Sequence, residues 1–99
     1  IVLLDANGAE VDMGTRFDYL TPDPAYNPAA RAFRDLPPEV LARRQLLEDC
    51  MMRAAAKHDL PLLPLPQEWW DFRFTPDLYN LYAPVSDTDL PPELRMTDI

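Results

Sequence analysis

The sequence predicts an α+β fold, and three observations along the chain predict it. Two short apolar runs, residues 1–4 and 9–13, flank an Asn7-Gly8 pair, which is the pattern of a hairpin. A helical apolar repeat then follows Pro37-Pro38 and runs through Val40, Leu47 and Met51. Beyond it, Trp70, Phe72 and Phe74 alternate with Asp71 and Arg73, as in a strand with one aromatic face.

Each element has a local cause. Asp5-Ala6-Asn7-Gly8 supplies the hairpin turn, because Asn and Gly tolerate positive φ. Residues 14–28 hold turn formers and the prolines Pro22, Pro24 and Pro28, so a loop is expected there, with a short helix over residues 28–35. The long helix starts at Pro37-Pro38-Glu39, where proline suits the first turn and a carboxylate suits the positive end of the macrodipole. Its core stripe is Val40, Leu47, Met51 and Ala54 or Ala55, joined by Leu46 and by a buried Cys50, while Arg43, Arg44, Glu48 and Arg53 fall mostly off it. It ends near His58-Asp59, because Pro61 disfavours helix for the residue before it and an imidazolium suits a helix C-terminus.

Pro61, Pro64 and Pro66 cannot sustain a helix or a central strand, so residues 60–66 read as an extended connector. Thr75-Pro76-Asp77 offers an N-cap and first turn for a short helix over residues 78–82. Past Ala83 the chain is acidic and aperiodic, which predicts an irregularly packed or frayed tail.

Composition narrows the partners. The 17 acidic against 9 basic residues give a formal charge of −8, which repels phosphate backbones and anionic membrane surfaces, so nucleic acid is not an expected partner. No apolar run approaches the length of a membrane span. One cysteine forms no disulfide within the chain and assigns no redox compartment. With 12 prolines and 2 glycines in 99 residues, much of the chain is turn and connector that adds little core. An opening in mid-strand without Met points to proteolytic processing or an artificial boundary.

Three ordered blocks carry a family resemblance. Gln67-Glu68-Trp69-Trp70-Asp71-Phe72 resembles the E-W-W-H-F block of the zinc D-alanyl-D-alanine dipeptidases, in which Glu is the general base and His a zinc ligand; Asp71 stands where that family has His. Asp12-Met13-Gly14-Thr15-Arg16-Phe17-Asp18 is similar to its D-M-G-x-x-F-D segment, and Arg43-Arg44-Gln45-Leu46-Leu47 with Met51 or Met52 resembles its R-R-x-L-L-x-x-x-M helix. The family's S-x-H-x-x-G-x-x-x-D segment, which supplies two zinc ligands ahead of a strand like Ile1-Val2-Leu3-Leu4-Asp5, is not in this sequence.

The resemblance implies that residues 1–85 are the C-terminal portion of a D-Ala-D-Ala dipeptidase-like catalytic domain and residues 86–99 an acidic tail. Its fold would be an antiparallel sheet with flanking helices, incomplete in this chain. The implied activity is zinc-dependent hydrolysis of the cell-wall dipeptide D-alanyl-D-alanine, with Glu68 as catalytic base, Asp71 in the third metal position and Asp18 holding the substrate ammonium. An N-terminal segment or companion chain of the same domain would supply the remaining zinc ligands.

The residues themselves leave alternatives open. Trp69 and Trp70 would desolvate Glu68 and raise its pKa toward proton-transfer values, whereas the plainer reading is a solvated residue opening a strand. Residues i and i+3 face opposite sides of a strand, so Glu68 and Asp71 address one ion only if Glu68 lies in a turn or bulge before it. Asp71 is shorter than an imidazole and adds negative charge, which shifts preference toward harder cations than zinc. A relative that binds a cell-wall peptide or a protein partner without cutting it is therefore the competing expectation. Asp18 suits an ammonium by charge-assisted hydrogen bonding, or caps a loop after Phe17. His58, the one histidine, sits at a helix end with only Asp59 adjacent, and no C-x-x-C, serine triad or phosphate loop offers other chemistry.

Overall fold

Two prolines set the start of the longest element. Pro37 is extended at φ −53° and ψ 144°, and Pro38 opens helix α1, Pro38–Lys57, with Glu39 in its first turn. The computed structural model describes residues 1–96. At the other end His58 is the C-cap, Asp59 takes a left-handed φ of 56°, and the Leu60 and Asp59 N–H groups return to the Ala55 and Ala56 carbonyls. That is a Schellman ending with Asp in the place usually held by glycine. The expected helix limits and the role of His58 in terminating it both stand.

The buried face of α1 is different from the expected stripe. Val40, Arg44, Leu47 and Ala55 are buried, while Leu46 is 52% exposed and Cys50 is exposed. The cause is what the helix packs against: irregular segments with carbonyls to satisfy. Arg44 Nε donates to Met13 O at 2.7 Å, and its terminal nitrogens donate to Pro28 O at 2.8 Å and Ala30 O at 3.4 Å. A guanidinium answers several acceptors at once, which no aliphatic side chain can do.

After α1 the chain forms a two-stranded antiparallel sheet, β1 Leu62–Pro64 and β2 Phe72–Phe74, with Leu63 opposite Arg73. The proline-rich connector is thus partly a strand. Leu65 N–H donates to Asp71 O and Thr75 N–H to Pro61 O, so residues 61, 63 and 65 sit at the hydrogen-bonded pairs. Pro64 falls between them, where its missing N–H removes no ladder bond. Helix α2, Pro76–Tyr79, is a single turn that starts two residues before the expected position; Thr75 is its N-cap residue without a side-chain cap bond. Two 3-10 turns, Asp87–Asp89 and Pro92–Leu94, are the regular features of the acidic tail within the described residues.

The N-terminal hairpin is reduced to its turn and one bridge, Leu4 with Glu10. Gly8 supplies the turn at φ 82°, and Asp5 Oδ1 accepts from the Asn7 and Ala9 N–H groups. Longer strands do not form because two-stranded ribbons are marginal without a further strand or covering layer, and Ile1 and Leu4 remain more than half exposed. Residues 28–32 form turns and residues 33–35 are irregular, in place of the short helix expected over residues 28–35. They dock on the β1–β2 loop through Arg31 N–H to Pro66 O and Trp69 N–H to Ala29 O, bonds that a helix would have kept for itself.

Met13, Ala29, Leu47, Trp69 and Trp70 form the core, with Val2, Leu3, Val11, Met51 and Phe72 packed against it. Trp69 meets Trp70 edge-on at 5.2 Å, and its indole N–H donates to Thr15 Oγ1 at 2.8 Å. Gly14 lets the preceding loop reach α1. At φ 91° a Cβ there would lie 3.0 Å from Arg44 Nη2 and from Val40 Cγ1. Gly14→Ala is expected to destabilise the chain by about 2 to 4 kcal/mol through left-handed strain and crowding, read as a lower urea midpoint; an unchanged midpoint would contradict this packing.

The surface left over is large. The chain exposes 7628 Å², against about 5,800 Å² for a compact monomer of this mass. Phe17, Leu20, Tyr79, Leu81 and Tyr82 are among its exposed large apolar residues. No helix among the described residues is long and apolar enough to cross a membrane.

Candidate functional site

The β1–β2 loop carries two of the three residues singled out in the sequence. It is a pair of consecutive turns: Glu68 N–H donates to Leu65 O and Asp71 N–H to Glu68 O. Glu68 therefore lies in a turn ahead of β2, the placement required for it and Asp71 to face one space. Prolines 64 and 66 and the anchoring of Trp69 on Ala29 fold the loop this way.

Asp18, Glu68 and Asp71 line one cavity of about 400 Å³ together with Ile1, Phe17, Met51, Trp70 and Phe72, within the size range of small-molecule sites. The Glu68 and Asp71 carboxyl groups are within hydrogen-bonding reach of each other. Glu68 is half-buried, and desolvation raises its pKa above the ordinary 4.5; the hydrogen bond and charge of Asp71 raise it further, Arg73 opposes, and Asp18 adds to the rise. Two adjacent carboxyl groups can bond only by sharing a proton, which is why the pair favours the neutral form of one of them.

Asp71 is held from its other side. Arg73 Nη2 lies 3.4 Å from Asp71 Oδ2, with the Arg73 side chain 64% exposed. Asp18 takes a left-handed φ of 62°, a conformation that Asp accepts more readily than most residues and that recurs at functional sites. Phe17 beside it packs on Trp70 with ring centroids 5.6 Å apart, so the loop before Asp18 is tied to the loop of Glu68.

Arg31 is a site residue that the sequence analysis missed. Its Nε donates to Leu65 O at 2.7 Å and its Nη2 to Asp71 O at 2.8 Å, so one guanidinium closes both ends of the loop that bears the carboxylates. Its other terminal nitrogen meets Glu48 at 3.3 Å on α1, and the group lies 4.7 Å from the Phe72 ring centroid. Burial lowers its pKa, and Glu48 opposes that shift. No local pattern marks Arg31, since its acceptors lie 34 and 40 residues away. Ile1, another wall of the cavity, also carried no signal beyond being apolar, whereas Met51 belongs to the helical block already singled out in the sequence.

Comparison with protein-family models, with curated proteins and with solved structures finds no match to this chain. What the site can do therefore follows from its own groups. A half-buried carboxyl with a raised pKa can take up and deliver protons near the cavity wall. Asp71 and Asp18 offer oxygen donors to a cation or an ammonium group. Among the described residues, no three His, Cys, Asp or Glu side chains are grouped closely enough to hold a metal ion.

Proposed function

We propose that this chain is the base-bearing portion of a metallohydrolase acting on D-alanyl-D-alanine or a closely related D,D-dipeptide. The single observation that carries the reading is the convergence of Asp18, Glu68 and Asp71 on one cavity, with the Glu68 pKa raised there. The three sequence blocks that resemble the D-alanyl-D-alanine dipeptidases meet at this cavity: Phe17 and Asp18 come from the first, Met51 from the second, and Glu68, Trp70, Asp71 and Phe72 from the third.

In this reading Glu68 removes the proton from the attacking water and later delivers one to the departing amine, a task that a raised pKa suits near neutrality. Asp18 holds the free ammonium of the dipeptide by a charge-assisted hydrogen bond. Phe17, Met51 and Trp70 wall the cavity and limit water around Glu68. Asp71 would hold the zinc ion, which when bound would polarise the scissile carbonyl and acidify water. The other ligands would come from an upstream segment or companion chain.

A second reading is favoured by one observation: the Asp71 carboxylate is engaged by Arg73 on one side and Glu68 on the other. That arrangement suits a relative that keeps the cavity and binds a cell-wall peptide, or a protein partner, without hydrolysis. The two readings separate in one experiment, metal analysis and D-Ala-D-Ala hydrolysis by the protein with its upstream segment, compared with Asp71→His. Hydrolysis by the unmodified protein with stoichiometric metal supports the first reading. Hydrolysis only after Asp71→His supports the second, and cleavage by neither overturns the substrate assignment.

A further inference from the structure

A second, smaller cavity, of about 50 Å³, lies where Arg31, Arg34 and Arg44 come together, and Glu48 is the one carboxylate on its wall among the described residues. The other lining side chains are uncharged. Three guanidiniums against one carboxylate leave two surplus positive charges there, on a chain whose net charge is −8. The volume has room for roughly three or four water molecules, which is too little for a dipeptide and similar to that of one tetrahedral oxyanion.

The charges on this wall are incompletely answered. Glu48 pairs with Arg31, whereas Arg44 is buried and bonded to carbonyls alone, with no carboxylate in ion-pair range among the described residues. Burial lowers the Arg44 pKa, the neighbouring Arg31 charge lowers it further, and Asp12 opposes. Crowding two guanidiniums out of water in this way calls for a counter-charge. Donors are also left over. Arg31 and Arg44 each use three of their five N–H groups, one from each nitrogen, and Arg34 is exposed with no hydrogen bond or ion pair among the described residues. Packing explains Arg31 and Arg44, but it gives Arg34 no task.

From this we infer that the cavity of Arg31, Arg34 and Arg44 is a binding site for a small tetrahedral dianion such as free phosphate or sulfate, with Arg34 closing over it. Three occupants compete for the space. Water would satisfy the spare N–H groups and leave both surplus charges, and a carboxylate from another segment would cancel one of them. A dianion cancels both, and its four oxygens meet guanidinium forks from several sides. A phosphate carried on a long polyanion is opposed by the chain's net charge, whereas a free ion responds to charges within a screening length of about 8 Å at physiological salt. The inference does not depend on hydrolysis, since the site shares only the Arg31 clamp with the carboxylate cavity.

The test titrates the full chain with inorganic phosphate at constant ionic strength, set by chloride, and follows the arginine Nε–Hε signals by nitrogen-15 NMR. Phosphate is expected to give saturable shifts at Arg31 and Arg44, sulfate to do the same, and acetate, a single carboxylate, to bind at least about tenfold more weakly. Arg34→Gln should weaken phosphate binding about tenfold while the backbone amide spectrum stays that of wild type, and Arg34→Lys should recover part of the loss, because it restores the charge without the fork. Shifts that never saturate, acetate binding as tight as phosphate, or unchanged phosphate affinity in a folded Arg34→Gln chain would each overturn the proposal. The first two outcomes are read in the wild-type chain, so they decide the matter even where the variant is unstable.

Discussion

Arg44→Met is expected to lower the stability of the chain more than any other single substitution considered. Arg44 is 8% exposed and is the shared donor for the carbonyls of Met13, Pro28 and Ala30, which belong to two irregular segments with few ladder bonds of their own. Methionine fills similar space but leaves those carbonyls without donors. Hydrogen bonds from a charged donor contribute about 1.5 to 3 kcal/mol each, so the two short ones, to Met13 O and Pro28 O, imply a loss of about 3 to 6 kcal/mol. Against a total stability of about 5 to 15 kcal/mol for an ordinary domain, that is decisive for a chain with so small a core. Lysine should rescue little, since an ammonium on a flexible stem lacks the planar fork that meets separate acceptors. Far-UV circular dichroism during urea titration reads the effect, and a midpoint unchanged in Arg44→Met would mean that the guanidinium does not tie the loops to α1.

The second large effect concerns Glu68→Gln, which should move stability and hydrolysis in opposite directions. Removing the base is expected to lower kcat for D-Ala-D-Ala about 10² to 10⁴-fold in the protein completed by its upstream segment, with dipeptide binding retained through Asp18. Stability should instead rise near neutral pH. Folding raises the Glu68 pKa above 4.5 by desolvation and by Asp71, so the folded chain favours the neutral carboxyl. Its contribution to stability is full below 4.5 and is lost as pH rises through the folded value. Glutamine stays neutral throughout, so the variant should match wild type in acid and melt higher at pH 7. Equal melting temperatures at both pH values would contradict the raised pKa, and retained kcat would remove Glu68 from the chemistry.

How far the sequence foretold this molecule depended on whether a signal was local. The ends of α1 were legible because Pro38 and the His58-Asp59 pair act within a turn of themselves. The alternation of Phe72 and Phe74 placed β2, and the prolines at 64 and 66 pointed to the turn that carries Glu68. Arg44 was misplaced because a charged residue on a helix reads as solvent-facing unless the carbonyls awaiting it are known. Leu46 and Cys50 were drawn into the core by hydrophobicity alone, yet both are exposed, with nothing among the described residues burying the face they occupy. The N-terminal strands and the helix at residues 28–35 failed for a related reason: their backbone groups bond to distant loops, or find no neighbouring strand at all. Arg31, the clamp on the carboxylate loop, lay beyond any short-range pattern.

The convergence of Glu68 and Asp71 on one cavity is the claim on which the functional reading rests. Carbon-13 NMR titration of the Glu68 side chain, in wild type and in Asp71→Asn, addresses it directly. The account predicts a Glu68 pKa above 4.5 that falls toward the ordinary value when the Asp71 charge is removed. An ordinary pKa in the wild-type chain, unmoved by Asp71→Asn, would show that the two carboxyl groups do not share a site.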